Sequence, residues 1–157
     1  MNSNSFTSEI SGEGFSFGIV RSRFNGEVTQ RMLDACIEVL KQAGVREEDI
    51  DVVEVPGAFE IPVVCQALAK KDNDAVITIG CIMRGQTTHD RYISSATISK
   101  LQDLAVDYSK PMILGIITPL DQEQADARST GDHNKGVEAG MAALEMVNVM
   151  KNIPNRL

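Results

Sequence analysis

The chain has 157 residues, with 15 Lys and Arg against 22 Asp and Glu, a formal net charge of −7 and 43% hydrophobic residues. At roughly 100–200 residues per domain, this length predicts one domain, and the 24% charged fraction excludes wholesale disorder. No apolar run reaches the roughly 18 residues of a membrane-spanning helix, and the acidic balance argues against a nucleic-acid surface.

Strand and helix patterns alternate along the chain. Residues 1–13 are polar and predict a tail or a short strand that pairs with the edge of a partner's sheet, and residues 14–157 form the single domain. Four apolar, β-rich runs predict strands, at 15–20, 50–55, 75–80 and 111–117. Five segments predict helices, at 27–43, 58–70, from the N-cap Thr88 through Leu104, at 121–128 and at 135–151.

This alternation is typical of βαβ units and a parallel sheet. The predicted fold class is α/β, a three-layer sandwich with a four-stranded parallel sheet, flavodoxin-like. On the last helix, Val137, Met141, Leu144 and Asn148 lie on one side. Ligands of such folds bind beyond the carboxyl ends of the strands, which here are the segments 21–25, 56–60, 80–89 and 118–121.

The strongest chemical signal is the segment Gly80–His89, where a strand ends, a loop follows and a helix begins. The backbone amides of Gly85, Gln86 and Thr87 would face one spot at a helix N-terminus, which is a favourable place for a phosphate. His89 follows in the first helical turn, where it could give and take a proton near neutral pH. An ordinary capped helix with a surface histidine explains the same pattern.

Other features near the strand ends also have two interpretations. Arg128 could grip a phosphate through its guanidinium, with Lys135 nearby, or simply complement a helix C-terminus. Glu60 could accept hydrogen bonds from a polyol, or match the dipole of its helix. Phe24 could stack on a planar ring, or pack at the rim of the core.

The three cysteines, Cys36, Cys65 and Cys81, form no closely spaced Cys or Cys/His pair. We therefore predict no metal site. The polar N-terminus lacks the layout of a secretion signal, so reduced thiols and a cytoplasmic location are expected. We interpret all three cysteines as structural, because no base for a nucleophilic thiol is evident beside Cys81.

Several motifs, in order and at matching spacing, resemble the lumazine synthase family of riboflavin biosynthesis. They are Arg-Phe-Asn at 23–25, Val-Pro-Gly-Ala-Phe-Glu-Ile-Pro at 55–62, Gly-x-x-x-Arg-Gly-x-Thr-x-His at 80–89, Pro-x-Ile-x-Gly at 111–115, Glu-Gln-Ala at 123–125, Arg128, and Asn-Lys-Gly-x-Glu-Ala at 134–139. The resemblance implies a transferase that condenses 5-amino-6-(D-ribitylamino)uracil with 3,4-dihydroxy-2-butanone 4-phosphate. The products are 6,7-dimethyl-8-ribityllumazine, phosphate and water, and no cofactor is needed.

The resemblance also implies a role for each matching residue. Phe24 would stack on the pyrimidine, and His89 would shuttle protons. Arg128 would pair with the phosphate. The remaining substrate-binding positions carried over are Ala58, Phe59, Glu60, Cys81, Ile82, Met83, Gly85, Gln86, Thr87, Leu114 and Lys135. Family members form pentamers or shells of sixty subunits with active sites between neighbours, so a homo-oligomer is expected.

Three departures from the family pattern stand out. Asp90 and Arg91 replace an aromatic residue and an acid, and Leu114 replaces a Phe that belongs to the adjacent subunit's site. Asp90 would disfavour a nearby phosphate, and Arg91 is expected to offset this. The loop from Arg128 to Asn134 is about one residue shorter than usual, and in the family this loop influences assembly.

These departures keep other functions open. A protein of the same fold could hold a ribityl-bearing ligand such as riboflavin without catalysis, and a shell subunit without activity would be a purely structural protein. Without the resemblance, the residues indicate an enzyme of phosphorylated sugars on a flavodoxin-like fold. Nucleic acid and membranes are not expected partners.

Overall fold

A computed structural model describes residues 10–153 as one sheet with helices on both faces. The strands are β1 (Phe17–Ser22), β2 (Ile50–Val55), β3 (Ala75–Cys81) and β4 (Met112–Ile117). The α-helices are α1 (Gly26–Gln42), α2 (Ile61–Ala69), α3 (His89–Tyr108), α4 (Gln122–Ala127) and α5 (Lys135–Asn152). Short 3-10 turns occupy Glu47–Asp49, Ala58–Glu60 and Gly131–His133.

All neighbouring strands are parallel, in the order β2-β1-β3-β4. Every residue of β1 and β3 is buried, whereas the edge strands β2 and β4 contain exposed positions. One apolar cluster joins the sheet to α1 and α5, and a second joins the opposite face to α2 and α3. The predicted three-layer α/β fold with a four-stranded parallel sheet is therefore confirmed.

The first strand begins and ends two residues later than predicted. The amide of Ser16 donates to Asp74 Oδ2 at 2.8 Å, and pairing with both neighbouring strands starts at Phe17. The strand continues through the polar Arg21 because that guanidinium is satisfied by the Thr29 hydroxyl, the Gly26 carbonyl and Glu54. A charged side chain can be buried when every donor finds a partner.

The second helix also differs at its start, because residues 58–60 form a 3-10 turn before α2. Pro62 has no amide hydrogen, so it cannot extend an α-helical ladder backward, but proline is well tolerated in the first turn of a helix. At α3, Thr88 occupies the N-cap position as predicted, but its side chain makes no capping bond. Instead, the Thr87 hydroxyl accepts from the His89 amide at 3.3 Å.

Of the four residues that the sequence places on one side of the last helix, only Leu144 is buried. Val137 and Met141 are only half-buried, as is Asn148. The buried side is instead made mostly of small residues: Gly136, Ala139, Gly140, Ala143, Leu144 and Val147. These residues let α5 lie so close to α1 that a methyl group at Gly136 would overlap the Met32 carbonyl oxygen.

Residues 1–9 of the predicted tail or edge strand lie outside the described residues. The described part, Ile10 to Glu13, forms no strand, and the Gly12 amide donates to the Ala43 carbonyl at 2.8 Å. No helix within residues 10–153 has both the length and the apolar character needed to cross a membrane.

Candidate active site

The carboxyl ends of β1, β2 and β3 open into a first cavity of about 380 Å³. Its walls come from the three segments that follow these strands and from the first turns of α3. The lining residues are Phe24, Gly57, Ala58, Phe59, Glu60, Cys81, Ile82, Met83, Gly85, Thr87, His89, Asp90 and Ile93. Most of the residues predicted to hold the heterocycle, with the predicted proton shuttle, thus lie around one cavity, as expected for an open parallel sheet.

Two exposed aromatic rings border the first cavity. Phe24 is 71% exposed and Phe59 is 59% exposed, although a phenyl ring gains stability when it is buried. Asn25 holds the turn after Phe24 with a left-handed backbone (φ 54°), and its Nδ2 donates to the Cys81 carbonyl at 2.9 Å. The Phe24 amide donates to the Pro56 carbonyl at 3.0 Å. These bonds fix the backbone that carries the Phe24 ring beside three strand ends, where a flat ligand can stack.

Glu60 ends the 3-10 turn and is exposed at the first cavity. Its Oε2 accepts from the Gly57 amide at 3.0 Å. This bond closes the turn and orients the carboxylate. The other carboxylate oxygen has no partner among the described residues and can accept a hydrogen bond from a ligand hydroxyl.

Unpaired backbone groups mark the rest of the cavity rim. The amides of residues 85–88 donate to no acceptor within residues 10–153, and they immediately precede the 20-residue helix α3. Free amides at the start of a helix, together with its dipole, form a site for an anion. The side chain of His89 is exposed and also lacks a hydrogen bond to the described residues. Gln86 is exposed but does not line the cavity.

The predicted cationic residues lie around a second cavity, of about 510 Å³, along the outer edge of β4. It is lined by residues 112–118, Arg128, Lys135, Glu138, Ala139 and Ala142. The two cavities have no lining residue in common. Within one chain, therefore, Arg128, Lys135 and Leu114 are not part of the cavity that contains His89.

Of the two cations in the second cavity, Arg128 is available to a ligand, whereas Lys135 is paired with the Glu138 carboxylate. Arg128 is exposed, and its guanidinium makes only one long contact, from Nη1 to the Gln124 carbonyl at 3.4 Å. Lys135 Nζ contacts both oxygens of Glu138, at 2.8 and 2.9 Å. The side chain of Leu114 is 53% exposed on the same strand edge. The first cavity contains the carboxylates of Glu60 and Asp90 and no Lys or Arg among its lining residues, whereas the second contains two cations and one carboxylate, that of Glu138.

No contact between the side chains of Arg91 and Asp90 supports the expectation that Arg91 offsets the charge of Asp90. Asp90 lines the first cavity and is half-buried, whereas Arg91 is exposed, lies outside that lining and forms no ion pair with Asp90. Sequence reasoning also missed Ile93 and Glu138 as lining residues. The spacing of three residues between Lys135 and Glu138, which places them on one helix face, was the available signal for Glu138.

All three cysteines are free and buried. Burial disfavours the thiolate and raises the pKa of Cys36 and Cys65 to about 12 and that of Cys81 to about 11. Cys81 lines the first cavity, but a thiol with this pKa is protonated at neutral pH and is a poor nucleophile. This supports the structural interpretation of the cysteines. Within residues 10–153, no three His, Cys, Asp or Glu side chains converge as metal ligands.

Comparison with known proteins decides the family. The family model for 6,7-dimethyl-8-ribityllumazine synthase matches residues 14–151. A protein of Aquifex aeolicus (strain VF5) with that name is 43% identical over 150 residues, which cover 94% of this chain and 97% of the relative. The chain belongs to the 6,7-dimethyl-8-ribityllumazine synthase family. The predicted family, enzyme class and reaction in riboflavin biosynthesis are therefore confirmed.

Proposed function

We propose that this chain performs the lumazine synthase condensation at a site that two adjoining copies build together. One observation carries the proposal: the two groups of ligand-binding residues lie in separate cavities of a single chain. The first cavity offers aromatic rings and free amides but no cation. The second offers two cations against one carboxylate, that of Glu138, and an exposed aliphatic side chain. Each supplies what the other lacks for a substrate pair that combines a flat heterocycle with a phosphate ester.

The first cavity is suited to the aminouracil. Phe24 and Phe59 provide stacking faces, and the free oxygen of Glu60 accepts from a ribityl hydroxyl. The Ile82 carbonyl and the Met83 amide make no hydrogen bond to the described residues. An adjacent acceptor and donor complement the alternating N–H and C=O groups of a uracil edge, and such hydrogen bonds discriminate strongly against analogues that lack the matching groups. Ala58 and Cys81 form part of the cavity wall, and they would meet the ligand through their surface and backbone.

The phosphate requires both cavities. Gly85, Gln86 and Thr87 provide amides and a hydroxyl at the start of α3, which would contact the ester oxygens. The carboxylates of Glu60 and Asp90 would repel the same anion. Cations from a neighbouring copy are needed to offset this repulsion. Arg128 can hold a phosphate through two parallel hydrogen bonds, and Lys135 adds a point charge.

The reaction follows from this placement. The 5-amino group attacks the ketone and water leaves to give an imine. Loss of a proton from the carbon that bears the 3-hydroxyl then eliminates phosphate and leaves an enol, which tautomerises to a new carbonyl at that carbon. The ribityl-bearing nitrogen attacks this carbonyl and closes the ring with loss of a second water. Holding two reactants together can supply roughly 7–11 kcal/mol of the barrier reduction. His89 lies beside the proposed phosphate site and shuttles protons between the nitrogen, carbonyl and phosphate groups. None of these steps requires a redox cofactor or a metal.

A direct assay tests this function. Purified protein is mixed with both substrates, and lumazine formation is followed by absorbance. We expect turnover well above the uncatalysed condensation. Tight riboflavin binding without turnover would instead favour the binding-protein alternative, and particles of a catalytically inactive protein would favour a structural one. Light scattering of the same sample distinguishes a pentamer from a shell of sixty subunits, and the cytoplasmic location stays a prediction.

Replacing His89 by Ala is expected to lower kcat about ten-fold with little change in either KM, because proton transfer is slowed while the two substrates remain bound. Steady-state kinetics with each substrate varied in turn measures the effect. Tyr92→Ala, a change at an exposed side chain one turn along the same helix and outside the cavity lining, serves as the control. An unchanged kcat in His89→Ala would remove the proton-shuttle role.

A further inference from the structure

Arg31, on α1, connects that helix to the segment that carries Arg128 and Lys135. Its Nη2 donates to Asp126 Oδ1 at 2.6 Å and to the Ser129 hydroxyl at 2.9 Å. Its Nε donates to the same hydroxyl at 3.2 Å. These contacts join residues that are 95 and 98 positions apart in the chain. One guanidinium therefore ties the end of α4 and the following loop to the first helix.

The loop that Arg31 holds is closed at its base by the backbone of the two proposed phosphate ligands. The Lys135 amide donates to the Arg128 carbonyl at 2.8 Å. Inside this closure, Asn134 Nδ2 donates to the Ser129 carbonyl at 2.9 Å and to the Arg31 carbonyl at 3.3 Å, and Asn134 Oδ1 accepts from the Gly136 amide at 2.8 Å. Ser129 and Asn134 are both buried, so the closure is a fixed part of the fold.

Few other bonds hold the rest of the loop: the Thr130 hydroxyl donates to the Asp126 carbonyl at 2.8 Å, and the Asn134 amide donates to the Gly131 carbonyl at 3.3 Å. Residues 130–133 are exposed, and the guanidinium of Arg128 itself makes only the long contact to Gln124. Ser129 is 0% exposed. Without Arg31, its hydroxyl would keep only a bond of 3.4 Å to the Asp126 carbonyl. A buried hydroxyl with poor partners destabilises the arrangement that contains it, so other loop conformations become populated.

We propose that Arg31 is a positioning residue that sets the place of Arg128 and Lys135, and thereby the affinity for the phosphate-bearing substrate. The proposal rests on the proposed function, in which these two cations bind the phosphate. Arg31 lies outside the linings of both cavities. It acts through the Ser129 hydroxyl and Asp126, and any effect on the phosphate is transmitted by the loop.

Two variants test the positioning role. Arg31→Ala removes the guanidinium, and Ser129→Ala removes its buried acceptor without changing any charge. We expect each to raise the KM for the butanone phosphate about five-fold, since small displacements of binding groups weaken binding steeply. The kcat and the KM for the aminouracil should stay within about two-fold of the unmodified protein. Gln30→Ala, a neighbour whose side chain bonds only within α1 to Asp34, is the matched control.

The combination with Arg128→Ala separates positioning from a direct contribution. If Arg31 acts through Arg128, adding Arg31→Ala to Arg128→Ala should raise the KM for the butanone phosphate by less than about two-fold, because coupled residues give non-additive effects. A full additional five-fold rise would overturn the proposal. If Arg31→Ala fails to assemble, Arg31→Lys replaces it in the experiment. A lysine can keep the ion pair with Asp126 but loses the paired N–H groups that bond to Ser129, so the KM should be intermediate.

The outcomes also distinguish this inference from the proposed function. If Arg128→Ala raises the KM for the butanone phosphate while Arg31→Ala and Ser129→Ala leave it unchanged, the positioning role is wrong and the phosphate-binding role of Arg128 stands. If Arg128→Ala itself has no effect on that KM, the phosphate-binding assignment fails and the positioning role falls with it. Melting temperatures measured on the same samples show whether a KM change accompanies general destabilisation.

Discussion

Adding one methyl group at Gly136 is expected to destabilise the protein by about 3 kcal/mol, although alanine is the better helix former. The Cβ of an alanine there would overlap the backbone of Met32, including its carbonyl oxygen, and a backbone segment cannot move aside as a flexible side chain can. Helices α1 and α5 would have to separate, and Gly140, which lies close to Cys36 and Val39, would lose its contacts as well.

The measurement is the apparent melting temperature at fixed protein concentration and scan rate, since assembly affects both. For a chain of this size, about 3 kcal/mol corresponds to a decrease of about 6–12 °C. Gly85→Ala is the matched control, because nothing lies within 4 Å of a Cβ at that loop position. Its melting temperature should stay close to that of the unmodified protein. If the Gly136→Ala protein is as stable as the control, the α1–α5 contact accommodates a methyl group and the prediction is wrong.

Replacing Arg128 by Ala is expected to raise the KM for the butanone phosphate about 30- to 150-fold, because charge-assisted hydrogen bonds to a phosphate are worth roughly 2–3 kcal/mol. The KM for the aminouracil should change by less than about two-fold, since that substrate is proposed to bind in the other cavity. Arg128→Lys keeps the charge but loses the second parallel hydrogen bond, and it should give an intermediate value. Steady-state kinetics with each substrate varied separately provides the measurement.

The control for this experiment is Arg46→Ala. Arg46 is also an arginine at the protein surface, and it forms ion pairs with Glu48 and Asp49. These residues directly precede β2, so they lie at the amino ends of the strands, whereas the first cavity lies at the carboxyl ends. Both KM values of Arg46→Ala should match those of the unmodified protein. Equal increases of both KM values in Arg128→Ala would indicate a general disturbance of the assembly, and the assignment of Arg128 to the phosphate would then be wrong.

Hydrophobic patterning was sufficient to predict the layers of the fold, because the apolar runs at 15–20 and 75–80 mark the two buried central strands and α1 carries apolar residues at helical spacing. It failed on α5, where close packing selects Gly and Ala. Bulky residues such as Met141 and Val137 mark the side of α5 next to the α1–α5 contact, and they are only half-buried. The start of β1 was missed for a related reason: Phe15 extends the apolar run, but pairing begins at Phe17.

The arrangement of the candidate site was predictable as far as motifs and strand ends determine it. Phe24, Glu60 and His89 come together because β1, β2 and β3 are neighbours in the sheet. The separation of Arg128 from His89 follows from the position of β4 at the sheet edge, which the order of strands along the chain does not reveal. Arg31 carried no signal at all, since its partners Asp126 and Ser129 are about a hundred residues away and only the fold brings them within reach.

The central claim is that each working site takes residues from two copies of the chain, and subunit mixing tests it most directly. One variant carries Arg128→Ala, which impairs the second cavity, and the other carries Phe24→Ala with His89→Ala, which impairs the first. The two are coexpressed with different tags, and assemblies that carry both tags are isolated. Activity is measured at butanone phosphate concentrations far below the KM of Arg128→Ala, where each variant alone is nearly inactive.

If sites are shared between neighbours, random mixing in a closed ring places two intact halves together in about a quarter of the sites. The mixed assemblies should then recover about a quarter of the unmodified activity. If each site is built within one chain, every site in the mixture keeps one of the two defects. Doubly tagged assemblies with no more activity than the separate variants would contradict the shared site.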